Sequence, residues 1–275
     1  MLDAGSWSVT LANVSIIEPS RLSRLSSLWG QEVFLLSPPL TRGFFWKAPS
    51  ERLRPSQMGK ACLRAYALEV LGLEFPVSPR LQSIFEAGNS IEDRIVSRWK
   101  RAGLVKKTQV PVTFNDPPVF GKADVILATG RSEHLVEIKS MNHRRFTELG
   151  VPSRDRAANM TKLLAVYRSC AVQWNTYASL AERDGFVIVE DKDTQEQRIF
   201  WLRRDEVLWA DTLERASRVW ELAQSRRVPA VPDDRTPRSK SDSECRWCDA
   251  KALCLALSKK ATSLEHFRLS FVNRI

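Results

Sequence analysis

The chain has 275 residues, 43% of them hydrophobic, and 42 Lys and Arg against 32 Asp and Glu, a formal charge of +10. That apolar content excludes wholesale disorder, and the length suits one core domain with elaborations at both ends. The positive balance suggests a polyanionic partner, nucleic acid before an anionic membrane surface, with a merely basic surface as the plain alternative. No run of about 18 apolar residues occurs, so no membrane span is expected. The start, MLDAGSWSVTLANVSIIEPS, lacks the basic region and compact apolar stretch of a secretory signal. Five thinly spread cysteines argue for an intracellular, cytoplasmic chain with metal-binding or buried thiols, not a disulfide scaffold.

Residues 1–50 give weak signals, with partial helical spacing at Leu22, Leu25 and Leu28 before Pro38-Pro39. A helix is expected from about Gln57 to Leu71, carrying Cys62 and Tyr66. Another is expected from Pro79 to Arg101, with Leu81, Ile84, Phe85, Ile91, Ile95 and Trp99 as its apolar positions and Gly103 ending it. The period then changes. Val105–Phe114, Val119–Ala128 and His134–Ser140 read as strands, the last two separated by a turn at Gly130-Arg131. A long helix over Arg154–Arg183 follows, then a strand pair, Phe186–Glu190 and Arg198–Leu202, and a helix over Asp205–Ser225. Pro229, Pro232 and Pro237 mark a linker over 228–243, and a cysteine knuckle with a basic tail closes the chain over 244–275. This order implies an α/β core over 56–227, preceded by an extension over 1–55.

The chemistry concentrates in Gly121-Lys-Ala-Asp124 and Glu137-Ile-Lys139. Asp124 and Glu137 are equidistant from Gly130-Arg131, so a two-residue hairpin turn there sets them opposite each other, Cβ atoms roughly 5 Å apart. Carboxylates that close repel unless a cation lies between them, and a hard divalent ion with oxygen ligands suits them. Side chains alternate along a strand, so Glu137 and Lys139 share a face while Ile138 points the other way. A lysine beside such an ion can hold a phosphate or lower the pKa of an attacking water. An E-x-K tripeptide by itself is common on solvated strand edges, but flanking Leu135, Val136 and Ile138 make this strand a buried one.

These residues resemble the motifs of the PD-(D/E)XK nuclease superfamily, which implies a restriction-endonuclease-like core, a central mixed sheet flanked by helices. Glu92, in Gly88-Asn-Ser-Ile91-Glu92, falls where relatives carry a metal-binding His or Glu, and departs from the His-bearing branch. Gln173-Trp-Asn-Thr-Tyr177 matches the Q-x-x-x-Y motif of the RecB-like branch, and its spacing of four puts both side chains on one helical face. By this resemblance Glu92, Asp124, Glu137 and the Ile138 main-chain carbonyl would hold one or two Mg²⁺ or Mn²⁺ ions. Lys139 would orient or activate water, and Gln173 and Tyr177 would position substrate and lysine.

Cys245-Arg-Trp-Cys248 and Cys254 form a local trio, and Cys62 lies 183 residues before the first of them. Zinc ribbons usually bring cysteines as two local pairs. The one-plus-three pattern is similar to iron–sulfur RecB-type nucleases, among them the CRISPR-associated exonuclease of the adaptation module and the AddB nuclease domain. In those families four thiolates hold a [4Fe-4S] cluster. The resemblance spans about Ser56–Leu255, with zinc on the same thiolates as the alternative. Cys170, among Val166, Ala171 and Val172, reads instead as a small buried apolar residue.

The implied function is a metal-dependent deoxyribonuclease acting on DNA ends or single strands, in CRISPR adaptation, recombination or the handling of a viral genome. Competing classes are a non-catalytic DNA-binding or assembly module that retains the fold, and a zinc-binding regulator of nucleic acid. Arg64, Arg144, Arg145, Lys162 and Arg168, with Lys60, Arg154 and Arg156, are candidate phosphate contacts, although most such charges are simply solvated. Trp174 and Trp247 are candidates to stack bases, with core packing as the competing reading.

Overall fold

The computed structural model describes residues 32–34, 44–232, 243–246, 248–256 and 260–267. Leu22, Leu25, Leu28, Pro38-Pro39, Trp247 and residues 233–242 of the expected linker lie outside the described residues.

The main sheet has five strands in chain order: β4 (Val105–Phe114), β5 (Val119–Thr129), β6 (Ser132–Met141), β7 (Gly185–Asp191) and β8 (Gln197–Leu202). All neighbours are antiparallel except β6 and β7. That parallel pair needs a long crossover, which α4 (His143–Leu149) and α5 (Arg156–Ala181) supply. Helix α3 (Pro79–Arg101) covers one side of the sheet, where Ile91, Ile95 and Trp99 join Val125, Val136, Ile138 and Phe186. Helix α5 contributes Leu163, Ala171, Trp174 and Ala178 to a larger apolar cluster with Leu135, Val187 and Val189. All seven residues of β7 are buried, as befits a strand paired on both sides under helical cover. The protein is therefore α/β, with a mixed central sheet flanked by helices.

Helix α3 and strand β4 have the bounds that the sequence predicts. Ser78 accepts from the Leu81 amide at 3.2 Å, a proline occupies the first turn, and Arg98, Lys100 and Arg101 fill the last. The helix expected over 57–71 is instead two short ones, α1 (Pro55–Met58) and α2 (Leu63–Val70). At the break, a Cβ on Gly59 would lie 2.5 Å from the Ser169 Cα, so glycine lets α1 press against α5. Cys62 then sits in extended conformation at the N-cap of α2 rather than within a helix. Helix α5 is kinked at Tyr167 (φ −142, ψ 57). Helix α4 was not foreseen; Asn142 caps it by accepting from the Arg145 amide at 3.0 Å.

The chain ends are less separate than the sequence suggests. Phe44, Trp46 and Leu53, like Val228, Leu253, Leu264 and Phe267, belong to the same apolar cluster as the helical layer of the core. Two small sheets tie them in. One has the order β1 (Glu32–Phe34), β2 (Phe44–Trp46), β3 (Leu73–Glu74); the other pairs β9 (Arg227–Val228) with β10 (Thr262–Ser263). Helix α6 (Glu206–Gln224) and the short helices α7 (Ser243–Arg246) and α8 (Lys251–Ala256) complete the described elements. No helix among the described residues is long and apolar enough to cross a membrane.

Trp174 is 0% exposed and its indole donates to the Leu135 carbonyl at 3.4 Å, so it packs in the core and does not stack bases. Trp174→Ala is expected to cost about 3–5 kcal/mol, read as a lower urea midpoint by far-UV circular dichroism; an unchanged midpoint would contradict this packing role.

Candidate active site and thiol cluster

The β5–β6 hairpin turns at Gly130 (φ 62) and Arg131, and its pairs run from Thr129↔Ser132 to Val125↔Val136. Asp124 and Glu137 occupy the next position, where this ladder stops while β6 stays paired with β7 as far as Met141↔Asp191. At that point the Asp124 carboxylate takes over from the ladder, Oδ2 accepting from the Ile138 amide at 2.8 Å. It is thus the Ile138 amide that the structure ties to Asp124. Glu137 is 0% exposed. Its Oε1 accepts from Lys139 Nζ at 2.5 Å, while its Oε2 is buried without a hydrogen-bond partner. Glu92 approaches from α3 and accepts from Gln109 Nε2 at 3.2 Å.

These acids are electrostatically one group. Burial pushes the Glu137 carboxyl up to about 8; Lys139 opposes the rise and Asp124 adds to it. Glu92 is raised to about 7 by burial and then by Asp124. Asp124 is raised by burial against the pull of Lys139 and the Ile138 amide. Burial acts to lower the Lys139 ammonium, but Glu137, Cys170 and Asp124 overcome it and hold it well above its usual value. Lys139 is therefore a fixed positive charge at neutral pH.

Helix α5 closes the site. Gln173 Nε2 donates to the Tyr177 hydroxyl at 3.5 Å, and burial, then Glu137, raises the Tyr177 phenol to about 12. A Cβ on Gly121 would lie 2.7 Å from Tyr177 Cε1 and 2.9 Å from Pro55, so the glycine before Asp124 makes room for this helix and for α1. Three further groups were not anticipated. Tyr167, at the kink, and buried Cys170 both interact with Lys139 and Glu137, and burial raises the Cys170 thiol to about 12. With Gln173 and Tyr177 they form a helical stripe that spacing alone could have revealed. Gln109 adopts a left-handed φ of 49 inside β4, between the pairs Thr108↔Val125 and Val110↔Ala123, and so lies across from Asp124. Nothing in the sequence signals that strained position.

The cysteines of the one-plus-three pattern act on one another electrostatically. The Cys254 thiol is raised by burial, with Cys62 and Cys245 adding to the effect and Arg64 opposing it. Cys248 is raised to about 11 by burial, with Cys254 and Cys62 contributing. Arg215 of α6 fixes the loop before Cys62 by donating to the Lys60 and Ala61 carbonyls at 2.7 and 3.1 Å. As placed, no three His, Cys, Asp or Glu side chains among the described residues are grouped so as to hold a metal ion. The buried, unpartnered Glu137 Oε2, on whose carboxyl Asp124 and Glu92 both act, is the feature that a hard cation would satisfy, and thiols are the ligand type that a soft centre takes.

The basic residues divide. Arg64 is 0% exposed, with its guanidinium 5.4 Å from the Phe267 ring and beside Cys254 and Cys62; it belongs under the thiols and does not line a surface path. Lys162 donates to the Val151 carbonyl at 2.6 Å, Arg168 faces Asp211 at 3.8 Å, and Lys60 pairs with Glu69 at 2.5 Å. Arg154 and Arg156 line a separate cleft whose six arginines are matched by six acids, leaving no net pull on an anion. Arg144 and Arg145 are exposed just after β6, but Arg144 pairs with Glu148 at 3.2 Å, and Arg145 donates to the Val166 carbonyl at 3.3 Å and lies 5.7 Å from the Tyr167 ring.

No protein-family model and no curated protein matches the chain. Among solved structures, the crystal structure of SSO0001 aligns over 77% of this chain and 90% of that chain, at 16% identity and a TM-score of 0.45.

Raised acids favour the protonated folded state, so their burden is absent below the unfolded values near 4.5 and grows as pH rises towards about 7 and 8. A divalent ion neutralises that burden. Mn²⁺ is therefore expected to stabilise the fold at about pH 8.5 and not at about pH 5, by up to about 2.7 kcal/mol at a hundredfold excess over Kd, read as a higher melting temperature. Glu137→Gln should abolish the shift; an equal shift in the variant, by scanning fluorimetry, would contradict metal binding here.

Proposed function

We propose that the protein is a divalent-metal-dependent nuclease that hydrolyses phosphodiester bonds, with DNA ends or single strands as substrate. The observation that carries this reading is the grouping of Asp124, Glu137 and Lys139 at the point where β5 and β6 stop pairing. Buried carboxylates with raised pKa values beside a charged lysine are characteristic of chemical sites more than of structural ion pairs. Asp124 and Glu137, with Glu92, are the residues that would hold Mg²⁺ or Mn²⁺. A bound ion supplies Lewis-acid polarisation of a phosphoryl oxygen and a more acidic water.

The chain's own groups divide the remaining work. Lys139, protonated at neutral pH, donates to a phosphate oxygen or to the attacking water and offsets charge that builds on the phosphoryl group. It is not the group that accepts the water's proton. Tyr177, also protonated, offers a hydroxyl donor, and Gln173 fixes its orientation. Gly121 sets how closely Tyr177 approaches the strand.

The thiols of Cys62, Cys245, Cys248 and Cys254 would hold a [4Fe-4S] cluster as a structural clamp. It would join the N-cap of α2 to the C-terminal knuckle across nearly the whole chain, and such long-range ties remove much entropy from the unfolded state.

Lys139→Ala and Asp124→Ala should each reduce Mn²⁺-dependent cleavage of end-labelled DNA by roughly 10³-fold, while folding and brown colour persist. Full cleavage by both variants would remove the nuclease reading, and DNA binding without cleavage by wild type would favour a binding module. Cys62→Ala should lose the colour of anaerobically purified protein, which is expected to contain about four irons per chain; a colourless wild-type protein containing zinc would replace the cluster with a zinc site.

A further inference from the structure

Immediately before α1 the chain runs extended beside the start of β5. The Leu53 amide donates to the Pro118 carbonyl at 2.7 Å, and the Phe120 amide donates to the Leu53 carbonyl at 3.0 Å. Leu53 is 0% exposed and belongs to the core, so alternation along an extended segment turns Arg52 and Arg54 outward together. Both arginines are exposed. The Arg52 guanidinium lies 5.0 Å from the Phe120 ring centroid, and neither arginine is ion-paired to an acid among the described residues. Arg54 is also the N-cap of α1, with Pro55 in the first turn. The backbone that carries both side chains is therefore fixed on either side of them.

Arg52, Arg54 and Phe120 line a groove of about 510 Å³ that Gly121 and Tyr177 also wall. Tyr177 is shared with the candidate active site, where its hydroxyl meets Gln173 and its phenol responds to Glu137 and Asp124. Gly121 precedes Asp124 by three residues of β5, roughly 10 Å of strand. The groove thus adjoins the acids along one wall. Its charged lining is two arginines and Glu51, a net positive charge, in contrast to the balanced cleft of Arg154 and Arg156. We infer that this groove binds an unpaired stretch of nucleic acid, one base stacking on the Arg52 guanidinium backed by Phe120 while Arg54 contacts a phosphate. This rests on the nuclease reading of the site and adds to it the substrate class, a single strand and not a closed duplex.

The chemistry of the lining selects that ligand. A guanidinium is planar and weakly hydrated, packs on aromatic faces, and presents its own plane to a base. Seating it over Phe120 removes rotamer freedom that binding would otherwise have to freeze. A base reaches such a stack only when it is unpaired and splayed from its neighbours, because a duplex keeps its base faces covered. A small free anion would use Arg54 alone and would meet Glu51 in the same lining. A strand uses both arginines and the ring.

Anisotropy of a fluorescein-labelled single-stranded oligonucleotide and of a blunt duplex of the same sequence, measured in EDTA so that no cleavage occurs, tests this. Wild type should prefer the single strand, and Arg52→Ala should weaken that binding roughly tenfold. Arg52→Lys keeps the charge and loses the plane, so it should not recover the single-strand affinity and should leave duplex binding unchanged. Phe120→Leu should weaken the single strand as Arg52→Ala does, and Arg54→Ala should lower the salt slope by about 0.7. Urea midpoints by far-UV circular dichroism separate these losses from unfolding; should Phe120→Leu unfold, the variants of the two exposed arginines decide. Wild-type affinity in Arg52→Ala, rescue by Arg52→Lys, an equal loss on the duplex, or no binding of the single strand by wild type overturns the inference. Cleavage that depends on Lys139 alongside groove variants that bind normally sinks this inference alone. Groove-dependent binding of the single strand without any metal-dependent cleavage sinks the nuclease reading alone.

Discussion

A glutamate with no access to water, one oxygen on an ammonium and the other on nothing, is the constraint around which this protein is built. An isolated carboxylate in such a place would cost several kcal/mol, and ordinarily the group would take up a proton or find partners. Here the partners are incomplete. Lys139 answers one oxygen, while Asp124 and Glu92 add to burial in opposing ionisation and push the carboxyl up to about 8. That arrangement is poor for stability and suits a site that gains its missing positive charge from a ligand.

The rest of the fold holds this imbalance in place. The β5–β6 ladder ends beside it, so backbone pairing does not fill the space, and the Asp124 side chain satisfies the Ile138 amide. Helix α5 lies across the opening because Gly121 and Gly59 allow it and α1 to approach closely. The kink at Tyr167 brings a tyrosine from the same helix near Lys139 and Arg145. Arg215 fixes the loop before Cys62, and apolar residues of both chain ends pack in the larger cluster.

What the sequence made legible follows from the range of the forces involved. The hairpin register was readable because a two-residue turn fixes every pair beyond it, and the apolar period fixed the bounds of α3 and the strand character of β6. A link between Cys62 and the cysteines near 250 was suggested only by resemblance, since no local rule links positions so far apart. The break at Gly59–Cys62 was hidden because Leu63, Tyr66, Ala67 and Val70 continue a plausible helical face, and the tertiary contact with Ser169 decides the matter. Arg64 looked like a surface charge because spacing says nothing about depth. Cys170 was read as a buried apolar residue and is buried, but its closeness to Lys139 depends on helix packing. Helix α4 was missed despite Asn142 and Gly150 at its ends, two ordinary cap signals on an element of seven residues.

The most direct test is anomalous diffraction from crystals grown with Mn²⁺. A peak within about 2.0–2.4 Å of carboxylate oxygens from both residue 124 and residue 137, with Lys139 displaced from one of them, is what this account requires. Crystals that contain Mn²⁺ elsewhere, while the lysine and glutamate remain paired and no density lies between the two acids, would contradict it.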